Sequence, residues 1–409
     1  MYTISKTMVT GFALGDGMDT ERQKDGSGLP AFGRRTFLTM AAAAGAAVFL
    51  ASHAPAVAAA VADADKKILW LRGAGCGGCT ASFLNGGNPD ILAAIENIRI
   101  ELSYHDGLMG QQGIFIDEKQ GNTERFNSIA RMDNLINAGG YLLVVEGAIP
   151  NGPDGSGKYG VIGSRIRNGQ IESLTMKTAF RDAAENADAI LAIGTCAAFG
   201  GISAAGGSAT DARGVAYTGS SRFKGIMGEL GMKKDVINVP GCPPHPDWLL
   251  LTIADMVTGA PIETDDYRRP AAFFREAVHT SCPRRGYYDD ARRDGSLAEG
   301  RCLYNLGCKG PVAYADCPVR RWNAGASMCT QTGGPCIACV EPEFPDAFSP
   351  FFSRIEDRNL LGGINIDTGA KIILGGAVLG AGIHAVKRIA IGDSDREEEP
   401  PKEKGKRGL

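Results

Sequence analysis

Aromatic residues make up only 7% of this 409-residue chain, and there are just five histidines. Charge of either sign is not in excess: the formal net charge is −3. A chain without a basic surplus has no electrostatic footprint for nucleic acid, so no nucleic-acid partner is expected. What is abundant is glycine, with 56 residues, beside 44% hydrophobic and 22% charged residues. That composition is globular, neither disordered nor collagen-like. At about 100–200 residues per domain, the length allows two or three domains with a core that needs no covalent staples.

Cysteine is the unusual component. There are eleven, at positions 76, 79, 196, 242, 282, 302, 308, 317, 329, 336 and 339, and seven of them lie between 282 and 339. An odd number excludes complete internal disulfide pairing. Disulfide frameworks belong to short secreted domains that lack a core, and this chain is neither short nor core-poor. Metal or cluster ligation is therefore the leading expectation.

The two ends read as something other than fold. Residues 1–33 are polar and without periodicity; then come Arg34-Arg35, an Ala-rich apolar run over 40–51 and small-residue stretches such as Ala56-Val57-Ala58. A twin arginine before a mild apolar stretch reads as a Tat-type export signal within a leader over 1–60; the alternative is a chance arginine pair before a buried Ala-rich helix. Because that route carries folded proteins, export and many cysteines need not mean disulfides. A second apolar run over 372–386 is followed by Lys387-Arg388 and a charged tail over 392–409. Fifteen helical residues span roughly 22 Å, short of the ~30 Å hydrocarbon core. Residues 369–391 are thus a candidate membrane helix with its basic end cytoplasmic, or else a surface helix; a linker over 351–368 precedes them.

Over 61–265, short continuous apolar runs at 68–71, 98–104, 141–145, 189–193 and 236–239 alternate with helix-like stretches at 80–85 with 91–98, 123–138, 178–186 and 248–258. Unbroken apolar runs suit strands buried on both faces. The alternation predicts an α/β domain with a doubly wound parallel sheet. Cys76 and Cys79 follow the first strand, Cys196 the fourth and Cys242 the fifth. Ligand sites of open parallel sheets lie at the carboxyl ends of the strands, so four distant thiols converge on one crevice. Four thiolates are what a four-iron cluster takes; a structural zinc matches the count too, although such sites usually pair two local knuckles and only one pair here is local. Glycines at 73, 75, 77 and 78 let the backbone wrap closely and aim N–H groups at sulfide. A dinucleotide loop is another use for such a turn, but it leaves the cysteines unexplained.

Over 266–350 regular periodicity fades and a string of ligands remains. His279, Cys282, Cys302 and Cys308 make one four-ligand set; Cys317, Cys329, Cys336 and Cys339 make another. Such an irregular segment, rich in loops with some helix, is expected to draw its stability from metal centres.

Taken together these motifs resemble the small, electron-transferring subunit of exported, membrane-associated nickel–iron hydrogenases. The carrying motifs are Cys76-Gly77-Gly78-Cys79, Glu146-Gly147-Ala148-Ile149-Pro150, Gly194-Thr195-Cys196, Pro240-Gly241-Cys242-Pro243-Pro244-His245-Pro246, and the stretches 302–311 and 335–342. The likeness runs from the twin arginine to the C-terminal apolar run. It implies a flavodoxin-like first domain, an irregular second domain and three iron–sulfur clusters in line. Cys76, Cys79, Cys196 and Cys242 match the ligands of a proximal four-iron cluster nearest a nickel–iron centre in a separate large subunit. His279, Cys282, Cys302 and Cys308 match a distal four-iron cluster, and Cys317, Cys336 and Cys339 a medial one. The partners implied are that large subunit, which splits H2, and an acceptor such as a membrane cytochrome b or periplasmic cytochrome c, on the periplasmic side. Lacking the CxxC pairs that hold nickel in the partner, this chain alone should not be active.

The chain departs from the family pattern in places. Many relatives have proline where Cys329 stands and a three-iron medial cluster; Cys329 as a fourth ligand makes a four-iron cluster the expectation. Eleven cysteines and His279 then supply the twelve ligands that three clusters need. Relatives adapted to oxygen carry extra cysteines where this chain has Gly78 and Gly201, so a standard proximal cluster is expected. Some carry glutamate where Gly75 and Ala81 stand, which leaves Glu146 as the nearest candidate for proton relay; a strand-end carboxylate capping amides is the other reading. A complex-I-like quinone-module subunit, with a related first domain, does not account for the string over 279–339, and a zinc-stapled exported binding protein is separated by metal analysis.

Overall fold

The computed structural model describes residues 66–86, 100–109, 127–167 and 169–354, with the short pairs 359–360 and 364–365. The twin arginine, the stretch 91–98 and the candidate span 369–391 lie outside the described residues. Among the described residues no helix is long and apolar enough to cross a membrane.

The elements alternate as expected. Strand β1 (Lys66–Arg72) leads to helix α1 (Gly78–Leu84), β2 (Ile100–His105), α2 (Ser128–Ala138), β3 (Tyr141–Glu146) and the short β4 (Ile149–Pro150). A hairpin of β5 (Val161–Arg167) and β6 (Gln170–Thr175) precedes α3 (Met176–Asn186). Then follow β7 (Ala189–Ile193), α4 (Gly194–Phe199), β8 (Ala212–Arg213), β9 (Val236–Val239) and α5 (Pro246–Thr258). Five strands form one sheet in the order β2-β1-β3-β7-β9, and every pairing in it is parallel. Counting only its own strands, the order is 2-1-3-4-5, the flavodoxin-like arrangement.

The unbroken apolar runs are explained by two cores. Leu69, Leu71, Leu143, Val145, Ile190 and Ala192 face α2 and α3, through Ile129, Met132, Ala179 and Phe180. Their neighbours Ile68, Trp70, Leu142, Val144, Leu191 and Ile193 face α5, through Trp248, Leu249 and Ile253. The second core also takes in Phe273, Phe274, Val278, Ala313, Met328, Ala338 and Val340. The irregular ligand segment thus builds little core of its own; it borrows one face of the sheet. Its described helices are short, as at Ala271–Phe274, Arg285–Asp289 and Cys317–Arg320.

Candidate functional site

Strand order reverses beside β1, and the crevice at that switch point gathers the first set of thiols. Cys76 and Cys79 sit at the start of α1, Cys196 in α4 directly after β7, and Cys242 in the turn after β9. They act on one another. Burial, the charge of Glu146, and then Cys196, Cys76 and Cys242 push the Cys79 thiol up. Burial with Cys196 and Cys76 raises Cys242 to about 11. Four mutually repelling thiols favour a bound cation, which reverses the sign of the local field and holds them as thiolates. Cys76 and Cys242 remain exposed.

Glu146 closes the floor of this crevice. It is 2% exposed and accepts from Trp70 Nε1 at 3.1 Å, from the Thr80 amide at 3.2 Å and from the Thr80 hydroxyl. It therefore caps the first turn of α1, the turn that carries Cys79. Behind it, His105 Nδ1 accepts the amides of Gly107 and Leu108. That leaves the proton on Nε2, which donates to Thr80 Oγ1 at 3.1 Å. A half-buried chain of hydrogen bonds thus runs from His105 through Thr80 to Glu146. Arg72 Nε lies 4.0 Å from Glu146 Oε2.

Asp106 borders this network with one buried carboxylate oxygen that has no hydrogen-bond partner among the described residues. Burial raises its pKa from 3.8 to about 6. The folded state therefore holds this proton more tightly than the unfolded state. The resulting stabilisation is complete below pH 3.8 and is lost as pH rises through about 6. Linkage sets the loss at no more than about 3 kcal/mol. Asp106→Asn should remove this slope and raise the melting temperature above pH 6, measured by thermal unfolding across the range; an unchanged pH profile would count against it.

The string after residue 266 forms two further groups. Burial, Cys339, Asp316 and Cys329 push Cys317 up, against an indole N–H donated by Trp322. Burial raises Cys339 to about 12, with Cys329 and Cys242 adding and the Cys242 amide opposing. Cys336 is raised by burial, Cys308 and Cys339. Cys317, Cys329, Cys336 and Cys339 are thus neighbours. His279, Cys282, Cys302 and Cys308 line one hollow, with Tyr304 and Thr330 in its wall. Burial and Arg285 hold the His279 imidazole below its ordinary value, the neutral form a metal ligand needs.

Contacts link the groups in series. The Cys336 amide donates to Cys308 Sγ at 3.4 Å, and Cys242 lies close enough to Cys339 to act on its thiol. At Gly78 and Gly201, an added Cβ would lie 3.1 Å from Cys76 Sγ and 3.0 Å from Cys196 Sγ respectively. Both positions therefore border the first set directly.

Other supports have no ligand motif to announce them. His245 Nδ1 accepts the Asp247 amide and caps α5, while Nε2 bonds the Arg321 carbonyl at 2.6 Å. That side chain ties the turn after Cys242 to the turn after Cys317. Arg269 is buried, with its guanidinium on Asp265 at 2.7 Å and Glu341 at 3.2 Å. Lys309 is buried between two groups: its amide bonds the Cys336 carbonyl at 2.7 Å, and its ammonium donates to the Ser353 carbonyl. Its place between Cys308 and a Gly-Pro pair was the visible signal, but nothing in spacing reveals a buried cation.

Comparison with known proteins covers both domains. Residues 76–256 match the family described as NADH ubiquinone oxidoreductase, 20 Kd subunit. Residues 274–352 match the family that describes the C-terminal part of the NiFe/NiFeSe hydrogenase small subunit. The F420 non-reducing hydrogenase II small subunit of Methanosarcina mazei is 46% identical over 372 residues, covering 88% of this chain and 94% of its own. This chain belongs to the family of nickel–iron and nickel–iron–selenium hydrogenase small subunits. The periplasmic NiFeSe hydrogenase small subunit of Desulfomicrobium baculatum is 35% identical over 331 residues, 78% of this chain and 98% of that one. The solved H2-activated NiFeSe hydrogenase of the same organism superposes with a TM-score of 0.63 at 35% identity, over 71% of this chain and 100% of that chain. As a hydrogenase small subunit, the chain is the electron-transferring part of a nickel–iron enzyme. Its partner is a hydrogenase large subunit, and the family carries iron–sulfur clusters on this subunit.

Proposed function

We propose that this chain relays electrons between the large subunit's nickel–iron site and an external acceptor through three four-iron clusters in series. Cys76, Cys79, Cys196 and Cys242 hold the proximal cluster; Cys317, Cys329, Cys336 and Cys339 the medial; His279, Cys282, Cys302 and Cys308 the distal. The clusters supply one-electron redox centres. The residues supply rigid ligands, a dry surrounding and amide donors to sulfur, which set potentials. The carrying observation is the Cys336 amide on Cys308 Sγ at 3.4 Å, with Cys242 close enough to Cys339 to act on its thiol, which supports an end-to-end order of the three groups. Replacing one thiolate by neutral His279 removes a negative charge and raises the distal potential. Glu146, joined through Thr80 to His105, is the group that would pass a proton at the subunit interface.

Finer features belong to the same reading. The twin arginine directs Tat export to the periplasmic side, and residues 369–391 anchor the chain in the membrane, with a cytochrome b there or a periplasmic cytochrome c as acceptor. Domains follow at 61–265 for the proximal cluster and 266–350 for the other two. The test is iron and acid-labile sulfide analysis of the purified heterodimer, with an EPR-monitored redox titration. About twelve irons and as many sulfides are expected from three four-iron clusters. Zinc without labile sulfide would defeat the relay.

A further inference from the structure

Two thiols of the hollow meet a hydrogen-bond donor, and the two donors differ in kind. Cys308 Sγ accepts the Cys336 amide at 3.4 Å. Cys282 Sγ instead meets a side chain, the Thr330 hydroxyl, at 3.5 Å. Thr330 is 2% exposed, and this is the one hydrogen bond its hydroxyl makes among the described residues.

A thiolate bound to iron has no proton to give, so the hydroxyl is the donor. A donor aimed at ligand sulfur stabilises the reduced, more negative cluster more than the oxidised one, and raises its potential. We propose that Thr330 is a positioning residue that raises the potential of the distal cluster by donating to Cys282; this rests on the ligand assignment proposed above. The turn that holds it, closed by the Gln331 and Thr332 amides on the Met328 carbonyl, presents Cys329 to one group and Thr330 to the next. One short turn therefore serves both clusters. The amide donor belongs to the backbone and survives any ordinary substitution, whereas the hydroxyl can be removed alone.

The experiment is an EPR-monitored redox titration of the heterodimer with wild-type, Thr330→Val, Thr330→Ala and Thr330→Ser small subunits. Valine and alanine should lower the distal potential, so that at fixed poise the reduced-to-oxidised ratio falls about tenfold, or about 59 mV for one electron. Serine should keep the wild-type value, and the other two clusters should not move. A merely structural role would reduce iron content without moving the potential of the clusters that remain. If valine perturbs loading, alanine and serine still separate hydroxyl from bulk. An unmoved distal potential in fully loaded valine or alanine variants overturns the proposal, as does a serine shift as large as valine's. A wild-type enzyme without a histidine-ligated four-iron signal overturns the ligand assignment itself, a different and distinguishable failure.

Discussion

Gly194→Ala should empty the proximal site. Gly194 opens α4 directly after β7 with φ +80, and a Cβ there would lie 2.4 Å from Cys79 Sγ. The sulfur has nowhere to retreat. Cys79 lies in the first turn of α1, which Glu146 holds through the Thr80 amide and hydroxyl. Its thiol already contacts the Ile193 carbonyl at 3.8 Å. Alanine also costs about 1 kcal/mol for the left-handed backbone, but that is the smaller effect. Gly231→Ala separates the two: Gly231 has φ +66 and nothing within 4 Å of the added Cβ. It should lose about 1 kcal/mol of stability and keep every cluster. Gly194→Ala should lose the four proximal irons and H2-driven dye reduction, read by iron analysis and turnover of the heterodimer. Full iron content with wild-type turnover would refute the argument.

Cys329→Ala should convert the medial cluster from four irons to three. Cys329 neighbours Cys317 and Cys339 closely enough to raise both. Its backbone is pinned by the Gly334 amide at 2.8 Å and the Thr332 hydroxyl at 3.0 Å. The side chain is exposed, so alanine fits without disturbing the core. With only Cys317, Cys336 and Cys339 left, one iron corner lacks a protein ligand. The expected result is one iron fewer per heterodimer, an oxidised three-iron EPR signal absent from wild type, and a raised medial potential. If wild type already shows that signal and the variant leaves it unchanged, Cys329 is not a ligand.

The parallel sheet was legible because its strands are buried on both faces. The runs at 68–71, 141–145 and 189–193 have no polar interruption, and their alternate side chains enter different cores. The β5–β6 hairpin was not legible, because it is not built that way. Its cross-strand pair Ile166 and Ile171 is 45% and 65% exposed while Leu174 is fully buried, so its apolar residues do not form the continuous buried run of a sheet strand. The reach of His245 was hidden for a related reason: its Nε2 bonds the Arg321 carbonyl, which belongs to a distant segment.

The proposed ligand set and its count are read from the sequence alone. Thiol and imidazole are the chemistry of these residues whatever their setting, and strand–turn order sends four of the cysteines to one sheet edge. Which thiol meets which is decided in three dimensions. Cys336 reaches Cys308 and Thr330 reaches Cys282 only because the irregular segment packs onto a sheet face that already exists. Thr195, whose hydroxyl bonds the carbonyl of Cys339, is 144 residues away from it in the chain. Hydrogen bonds to sulfur depend on distances of a few ångströms, and spacing along the chain does not encode those distances.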